Sequence, residues 1–240
     1  MKTYGIQLYS LRDTTDKDFE GTLKKVSEMG FKMVESAGFF GHSAEQVKAM
    51  LDKYGLEICS THTGINLLED DFDATIEYHK ALGCQNLIIP WAPFNTKAEL
   101  DALIDKINVW VPKAKAQGVT MHYHNHYAEF LPNEDGQIAI EEMAKRTDIL
   151  FEIDTYWAYV AGENPLEVLE KYNDRIKFIH LKDGTKDKQG KSLGQGTAPV
   201  LAVLKKAEES GRKIVVESEG LDPTGIEEVG RCMDFLKDNQ

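Results

Sequence analysis

Polar residues recur at the ends of four apolar segments in the second half of the chain. The segment MHYHNH, residues 121–126, carries three histidines at alternate positions, and the later segments FEID, FIHLKD and IVVESEG carry Asp154, His180 and Glu217. Two imidazoles and two carboxylates form a mixed nitrogen and oxygen set that suits a borderline divalent cation such as Mn²⁺, Co²⁺ or Zn²⁺. The same side chains could instead be buried structural groups, so the elements that carry them decide between the two interpretations.

Side chains alternate between the two faces of a strand, so His122, His124 and His126 share one face. His124 and the three later residues are separated by 30, 26 and 37 positions, about one strand and helix each. If these faces point into a barrel, we expect the side chains to meet at similar heights above its mouth. The predicted metal ligands are therefore His124, Asp154, His180 and Glu217.

Other polar residues on the same segments have less specific patterns. We interpret His122, one pleat deeper than His124, as structural. Glu152 either pairs with a basic group in the lower barrel or contacts substrate. His79 lies on a helical pattern, and we expect it at the surface.

Eight segments typical of strands alternate with amphipathic helical patterns along the whole chain. Such alternation predicts right-handed crossovers and a parallel sheet, and eight units in 240 residues predict a single-domain (β/α)₈ TIM barrel over residues 1–240. No Gly-x-Gly-x-x-Gly motif follows the first strand, which argues against an open dinucleotide-binding sheet. The predicted strands cover residues 3–10, 32–38, 56–64, 86–92, 119–126, 149–157, 176–183 and 213–220.

Composition limits the possible partners. A formal net charge of −12 disfavours nucleic acid, and no apolar run is long enough to span a membrane. The three cysteines are widely spaced, which indicates a reducing compartment, and the start MKTYGIQLYS lacks the apolar region of a signal peptide. We expect a cytoplasmic protein with a small-molecule partner, although a processed export form would look the same. A homo-oligomer is compatible with the sequence.

Six motifs in order resemble the xylose-isomerase-like sugar phosphate isomerase/epimerase superfamily. They are GIQLYSLRD, YHNHYAEF, EIDTYWAYVAGENP, IHLKDG, LGQG and VVESEG, and the resemblance covers essentially the whole chain. It implies a (β/α)₈ barrel with one divalent metal ion, Mn²⁺, Co²⁺, Zn²⁺ or Mg²⁺, held at the ends of strands five to eight. The positions that match those ligands are His124, Asp154, His180 and Glu217.

The chain departs from related ketose epimerases at two positions. In those enzymes the ligands on strands five and eight are both glutamates that exchange the substrate proton from opposite faces. Strand five offers His124 here, and Glu129 is the nearest carboxylate that could replace the missing base. Trp157 stands where those epimerases often carry a histidine, which suggests a sugar ring stacked on an aromatic face.

The resemblance and the ligand pattern together predict a metal-dependent isomerase or epimerase of sugars or sugar phosphates. Proton abstraction next to a metal-bound carbonyl would give an enediolate, with Glu217, Lys182 and Glu129 as the catalytic residues. The same intermediate could lose a hydroxyl group, so a lyase, dehydratase or hydratase of keto sugars or inososes is an alternative. A carbohydrate-binding barrel without catalysis is a third possibility, whereas an endonuclease would need more ligands and a basic groove. The predicted substrate contacts are Glu35, His62, His126, Trp157 and Lys186.

Overall fold

Eight short strands lie parallel to one another in a closed barrel in the computed structural model, which describes residues 2–239. Each predicted strand segment contains one barrel strand, and the predicted TIM barrel is confirmed. Two further strands, β8 (Asp183–Gly184) and β9 (Gly190–Lys191), form an antiparallel hairpin after the seventh barrel strand. The barrel strands are β1 (Gly5–Gln7), β2 (Met33–Ser36), β3 (Glu57–His62), β4 (Asn86–Ile89), β5 (Thr120–His124), β6 (Leu150–Asp154), β7 (Ile176–Leu181) and β10 (Lys213–Val216).

Helices cover the outside of the barrel, and their ends carry the expected capping residues. Ser43 and Gln46 form a reciprocal capping box at the start of α3, and Gly55 ends that helix with a φ of 63°. The α-helices are α1 (Arg12–Thr15), α2 (Phe19–Met29), α3 (Ala44–Tyr54), α4 (Ile65–Leu82), α5 (Lys97–Ala116), α6 (Ala139–Arg146), α7 (Thr155–Ala161), α8 (Pro165–Lys171), α9 (Val200–Glu209) and α10 (Gly225–Asp238). Short 3₁₀ turns cover Leu8–Leu11, Ala128–Phe130 and Asn173–Arg175.

The apolar core has two parts, because the two faces of each strand meet different neighbours. The larger part fills the space between the barrel and its helices. A small cluster inside the barrel consists of Met33, Cys59, Phe178 and Val215. Most other inward positions toward the carboxyl ends of the strands are polar, with Ile88 on β4 an apolar exception. The interior above this cluster is therefore available for chemistry.

Two expectations about local structure need correction. The sixth predicted strand extends to residue 157, but β6 ends at Asp154 because the Asp154 side chain accepts a hydrogen bond from the Trp157 amide and starts α7. His79 is buried rather than exposed, with Nε2 at 2.6 Å from Oγ1 of Thr61 and 3.1 Å from Oγ1 of Thr63. No helix in the described part of the chain has both the length and the apolar character of a membrane span.

Candidate metal centre and substrate pocket

Four adjacent strands bring the predicted ligands together at the carboxyl end of the barrel. His124 ends β5, Asp154 ends β6, His180 lies near the end of β7, and Glu217 follows β10. All four residues are buried, and one ligand atom from each lies within 4.8 Å of the others. The alternation of side chains along four separate segments therefore produces a single cluster.

Several atoms of this cluster that could coordinate a metal ion have no hydrogen-bond partner among residues 2–239. Nε2 of His124, Oδ2 of Asp154 and Nδ1 of His180 are all buried and make no hydrogen bond. The nearest opposite charge to Nδ1 of His180 is Oε2 of Glu217, at 3.3 Å. Nε2 of His124 lies 3.7 Å from Oδ2 of Asp154, and Nδ1 of His180 lies 4.0 Å from the same oxygen. Unpaired polar atoms are costly to bury, and a divalent cation would satisfy all three together. The residues present therefore fit such an ion.

Asp154 is fixed so that one of its oxygens stays free. Its Oδ1 accepts the Trp157 amide at 2.9 Å. The Asn125 side chain accepts from the Asp154 amide at 3.1 Å and donates to the Asp154 carbonyl at 3.2 Å. These bonds hold the end of β6 against β5 and leave Oδ2 directed at the cluster.

His180 is oriented by two carboxylates beneath the cluster. Its Nε2 lies 2.7 Å from Oε1 of Glu35 and 3.1 Å from Oε2 of Glu152. Metal-binding histidines commonly make such a bond through their second nitrogen, which fixes the ring and its tautomer. Nδ1 of His180 is then the nitrogen available to a metal ion.

His62 completes a buried group of two carboxylates and two imidazoles, formed with Glu35, Glu152 and His180. Nε2 of His62 lies 2.8 Å from Oε2 of Glu152 and 3.1 Å from Oε1 of Glu35. Burial opposes a charge on His62, but the attraction of Glu35 and Glu152 raises its pKa to about 10. Burial and the repulsion of Glu35 raise the pKa of Glu152. Glu152 therefore has basic partners, but these are His62 and His180 near the carboxyl end of the barrel rather than a group in its lower part.

His124 has the electrostatic character of a neutral ligand. Burial, together with the neighbouring imidazoles of His180 and His62, holds its pKa well below the ordinary value. A neutral imidazole is the form that coordinates a metal ion. His122 is buried one pleat deeper, against the edge of the Phe178 ring at 5.2 Å between ring centres, as expected for a structural residue.

Lys182 is a fully buried cation beside the cluster. Its Nζ lies 3.1 Å from Oε2 of Glu217, 2.6 Å from Oε1 of Glu219 and 3.8 Å from Oδ2 of Asp154. Burial would lower the pKa of Lys182, but the attraction of Glu217 and Asp154 outweighs it and raises the pKa. The site predicted from the sequence does not include Glu219, although alternation places Glu219 on the same face as Glu217.

A cavity of about 470 Å³ opens above the cluster, within the size range of small-molecule sites. The polar floor can form hydrogen bonds with the hydroxyl groups of a sugar, and the aromatic rim can stack against its ring. The polar lining residues are His62, His124, His126, Glu217 and Glu219, and the aromatic ones are Tyr9, Trp91 and Trp157.

The predicted substrate contacts divide between the cavity and other places. His62, His126 and Trp157 line the cavity. Glu35 lies beneath it, fully buried, and accepts from Nε2 of Gln7 at 2.6 Å. Lys186 is exposed in the turn of the hairpin, where Nζ donates to the Tyr159 carbonyl at 2.7 Å. The structure therefore brings neither Glu35 nor Lys186 to the cavity surface.

Glu129 lies on the outer side of β5, away from the cavity. It accepts a hydrogen bond from the His126 amide at 2.9 Å and one from the Tyr123 hydroxyl at 3.3 Å. Tyr123 belongs to the core outside the barrel, because it alternates with His122 and His124. The turn after β5 thus directs the Glu129 carboxyl group outward, and the structure does not support it as a replacement base.

Comparison with known proteins identifies the family. A family model for the xylose isomerase-like TIM barrel matches residues 23–238. A crystal structure of a sugar phosphate isomerase/epimerase from Parabacteroides distasonis superposes with a TM-score of 0.86 at 28% identity, covering 99% of this chain and 98% of that one. The curated relatives include inosose dehydratases from Geobacillus kaustophilus, 25% identical over 186 residues, and Clostridium beijerinckii, 24% identical over 191 residues.

The alignments to these two dehydratases cover 67% and 70% of this chain, but only 60% and 64% of the relatives' own length. The family match, by contrast, extends over nearly the whole barrel, from α2 to the end of α10. It agrees with the superfamily that the sequence motifs predict. This chain therefore belongs to the xylose isomerase-like TIM barrel family.

Proposed function

We propose that this protein is a divalent-metal-dependent enzyme that removes a proton next to the carbonyl group of a small sugar-like substrate. The observation that carries the proposal is the set of buried ligand atoms without a hydrogen-bond partner on His124, Asp154 and His180. They lie beside Glu217 at the floor of an aromatic-rimmed cavity. A divalent ion held there would supply a Lewis acid that polarises the carbonyl group and acidifies the adjacent C–H bond.

Glu217 is the residue to which we assign proton abstraction. Burial would raise its pKa, but Lys182 and His180 outweigh that effect and hold the pKa of Glu217 well below the ordinary value. The carboxylate is therefore ionised and able to accept a proton at the cavity floor. To Lys182, whose Nζ lies 3.1 Å from the same carboxylate, we assign the stabilisation of negative charge on a substrate oxygen.

The cavity presents carboxylates from one side. Its lining carboxylates are Glu217 and Glu219, and both follow β10, whereas β5 contributes His124. A single-sided base can move a proton between neighbouring carbons on one face of the substrate, which is the requirement of an isomerase. Epimerisation by two carboxylates on opposite faces has no such support in this arrangement.

A second candidate is dehydration of a keto sugar or inosose. The same one-sided base can abstract a proton while a neighbouring acid, such as Lys182, assists the departure of a hydroxyl group. The inosose dehydratases among the curated relatives support this alternative. Isomerase and dehydratase share the first step, so product analysis has to separate them.

The experiment is product analysis in D₂O with metal-replete protein and a panel of ketoses, aldoses and inososes, free and phosphorylated. We expect solvent deuterium in the product, since the abstracted proton exchanges with the medium. An isomer retains the substrate mass apart from deuterium, whereas dehydration lowers it by one water. A complete absence of exchange and product across the panel would contradict the proposed chemistry.

Ligand variants test the metal centre separately. His180→Ala and Glu217→Ala should each lose bound metal and turnover, because each removes one donor from the cluster. His42→Ala is the matched control, since His42 lies in the loop after β2, outside the cluster, and should keep both. Stoichiometric metal in both ligand variants, measured by elemental analysis, would rule out this centre.

A further inference from the structure

A second cavity, which we call the side compartment, lies beside the substrate cavity. It has a volume of about 410 Å³ and lies between the loop after β2 and helix α4, from Leu67 to His79. The two cavities share His62, and the neighbouring residues Ala37 and Gly38 line one each. A molecule held over the metal centre could therefore extend into the side compartment. Its apolar walls are Phe39, Leu67, Ala74 and Tyr78.

The walls of the side compartment are fixed by contacts within the protein. The rings of Phe39 and Tyr78 pack at 4.7 Å between centres, and the Tyr78 hydroxyl donates to the His42 carbonyl at 2.8 Å. Oγ1 of Thr75 donates to the Leu67 carbonyl at 3.0 Å, which ties the two halves of α4 together. A preformed wall binds an apolar group without the cost of ordering loops.

Exposure and charge define what the side compartment can accept. Leu67 is 51% exposed although it belongs to the apolar wall, so a large part of its side chain is available for contact. Asp70 and Asp71 line the same cavity and are exposed. These carboxylates repel a phosphate or carboxylate group, and the wall favours an uncharged apolar one.

We propose that the side compartment binds a neutral apolar group attached to the sugar-like substrate. The sugar part lies over the metal centre, and the apolar part passes His62 and packs against Phe39, Leu67 and Tyr78. This inference rests on the proposed function, because that function places the sugar part in the neighbouring cavity.

The test compares methyl and phenyl β-D-glycosides of glucose, galactose and xylose as ligands of the metal-replete protein, with dissociation constants from calorimetry. In at least one sugar pair we expect the phenyl glycoside to bind about tenfold more tightly, since its ring buries apolar surface that a methyl group cannot. The proposal is overturned if no phenyl glycoside in the panel binds more tightly than its methyl partner.

Variants of the wall test whether a preference for phenyl glycosides arises in the side compartment. Leu67→Gln removes part of the apolar wall and Ala74→Phe fills the space, so both should abolish the phenyl preference and leave binding of the methyl glycoside unchanged. Leu201→Gln is the matched control, because Leu201 is a 54% exposed leucine on α9, outside the side compartment, and should keep the preference. A preference that persists in both wall variants would contradict the assignment.

Two further measurements on the same samples separate this inference from its alternatives. Intact metal binding and deuterium exchange without a phenyl preference contradict the side compartment alone. A phenyl preference without bound metal contradicts the metal-dependent function alone and supports the side compartment. If Leu67→Gln dissociates a dimer in sedimentation and leaves phenyl binding unaltered, the surface contacts a second copy and the proposal is wrong.

Discussion

Glu129 is a buried carboxyl group whose ionisation is coupled to folding. Burial raises its pKa from the ordinary value of 4.5 to about 7. A raised folded-state pKa gives stability that is fully present below pH 4.5 and is lost as the pH rises through 7. At 1.36 kcal/mol per pKa unit, the protein is less stable by about 3 kcal/mol well above pH 7 than it is below pH 4.5.

We therefore expect Glu129→Gln to gain stability relative to the wild type as the pH increases. Between pH 5 and pH 8 the difference in free energy of unfolding should shift by about 2 kcal/mol in favour of the variant. Urea denaturation at the two pH values measures this shift. Glu134→Gln, an exposed neutralisation nearby, is the control and should show little change. Equal shifts in both variants would show that Glu129 does not carry the effect.

At the level of single residues, the sequence predicts what alternation controls and misses what the turns control. His124, Asp154 and His180 lie near the carboxyl ends of their strands and Glu217 directly follows β10, so period and spacing suffice to bring them together. Glu129 lies within the 3₁₀ turn Ala128–Phe130, which directs its carboxyl group to the outer side of β5, and no sequence pattern shows that change of direction. The pairing of Glu35 with His180 spans 145 positions across the barrel, and it needs the closed structure to become visible.

Among the elements, the loop from residue 184 to residue 198 depends on one buried carboxylate. Asp183 accepts hydrogen bonds from the backbone amides of Gly184 at 2.8 Å and Ala198 at 3.2 Å through Oδ1. Its Oδ2 accepts from Gly194 at 2.9 Å and Gly196 at 3.0 Å. The motif LGQG thus folds back onto the end of β7, next to Lys182, and fixes the hairpin beside the substrate cavity.

Asp183→Ala should destabilise this loop, because four buried or partly buried amides lose their acceptor. We expect the free energy of unfolding to fall by about 3 kcal/mol, with faster hydrogen exchange at Gly194 and Gly196. Asp183→Asn keeps one acceptor oxygen and should lose less. Asp187→Ala, at the exposed tip of the hairpin, should change stability by less than about 0.5 kcal/mol. If the two alanine variants lose the same stability, Asp183 does not organise the loop.

The elements themselves follow from the sequence more directly than their ends do. Strand and helix patterns alternate eight times, and right-handed crossovers leave the barrel as the arrangement that closes them. The end of β6 differs from the prediction because Asp154 is at once an apolar strand's last residue and the cap of α7. The strand therefore ends at Asp154 and the helix begins at Thr155, although the apolar and aromatic pattern of the strand continues to Trp157.

For the whole molecule, the candidate ligands connect β5, β6, β7 and β10, which are consecutive neighbours around the barrel. A metal ion that binds this cluster in the folded state and not in the unfolded chain stabilises the barrel by mass action. At a free metal concentration 100 times the dissociation constant, the gain is about 2.7 kcal/mol. For a chain of this size we expect the melting temperature to rise by about 5 to 10 °C.

Thermal denaturation of chelator-treated protein, with and without added Mn²⁺, measures this rise. It should be reversed by excess chelator and retained in His42→Ala, whose ligand set is complete. His180→Ala should lose it, because that ligand joins the ion to the Glu35 and Glu152 carboxylates deeper in the barrel. An equal rise in His180→Ala would mean that the ion stabilises the protein from another site. Metal binding at the cluster of His124, Asp154, His180 and Glu217 would then not be what stabilises the strands that carry these residues.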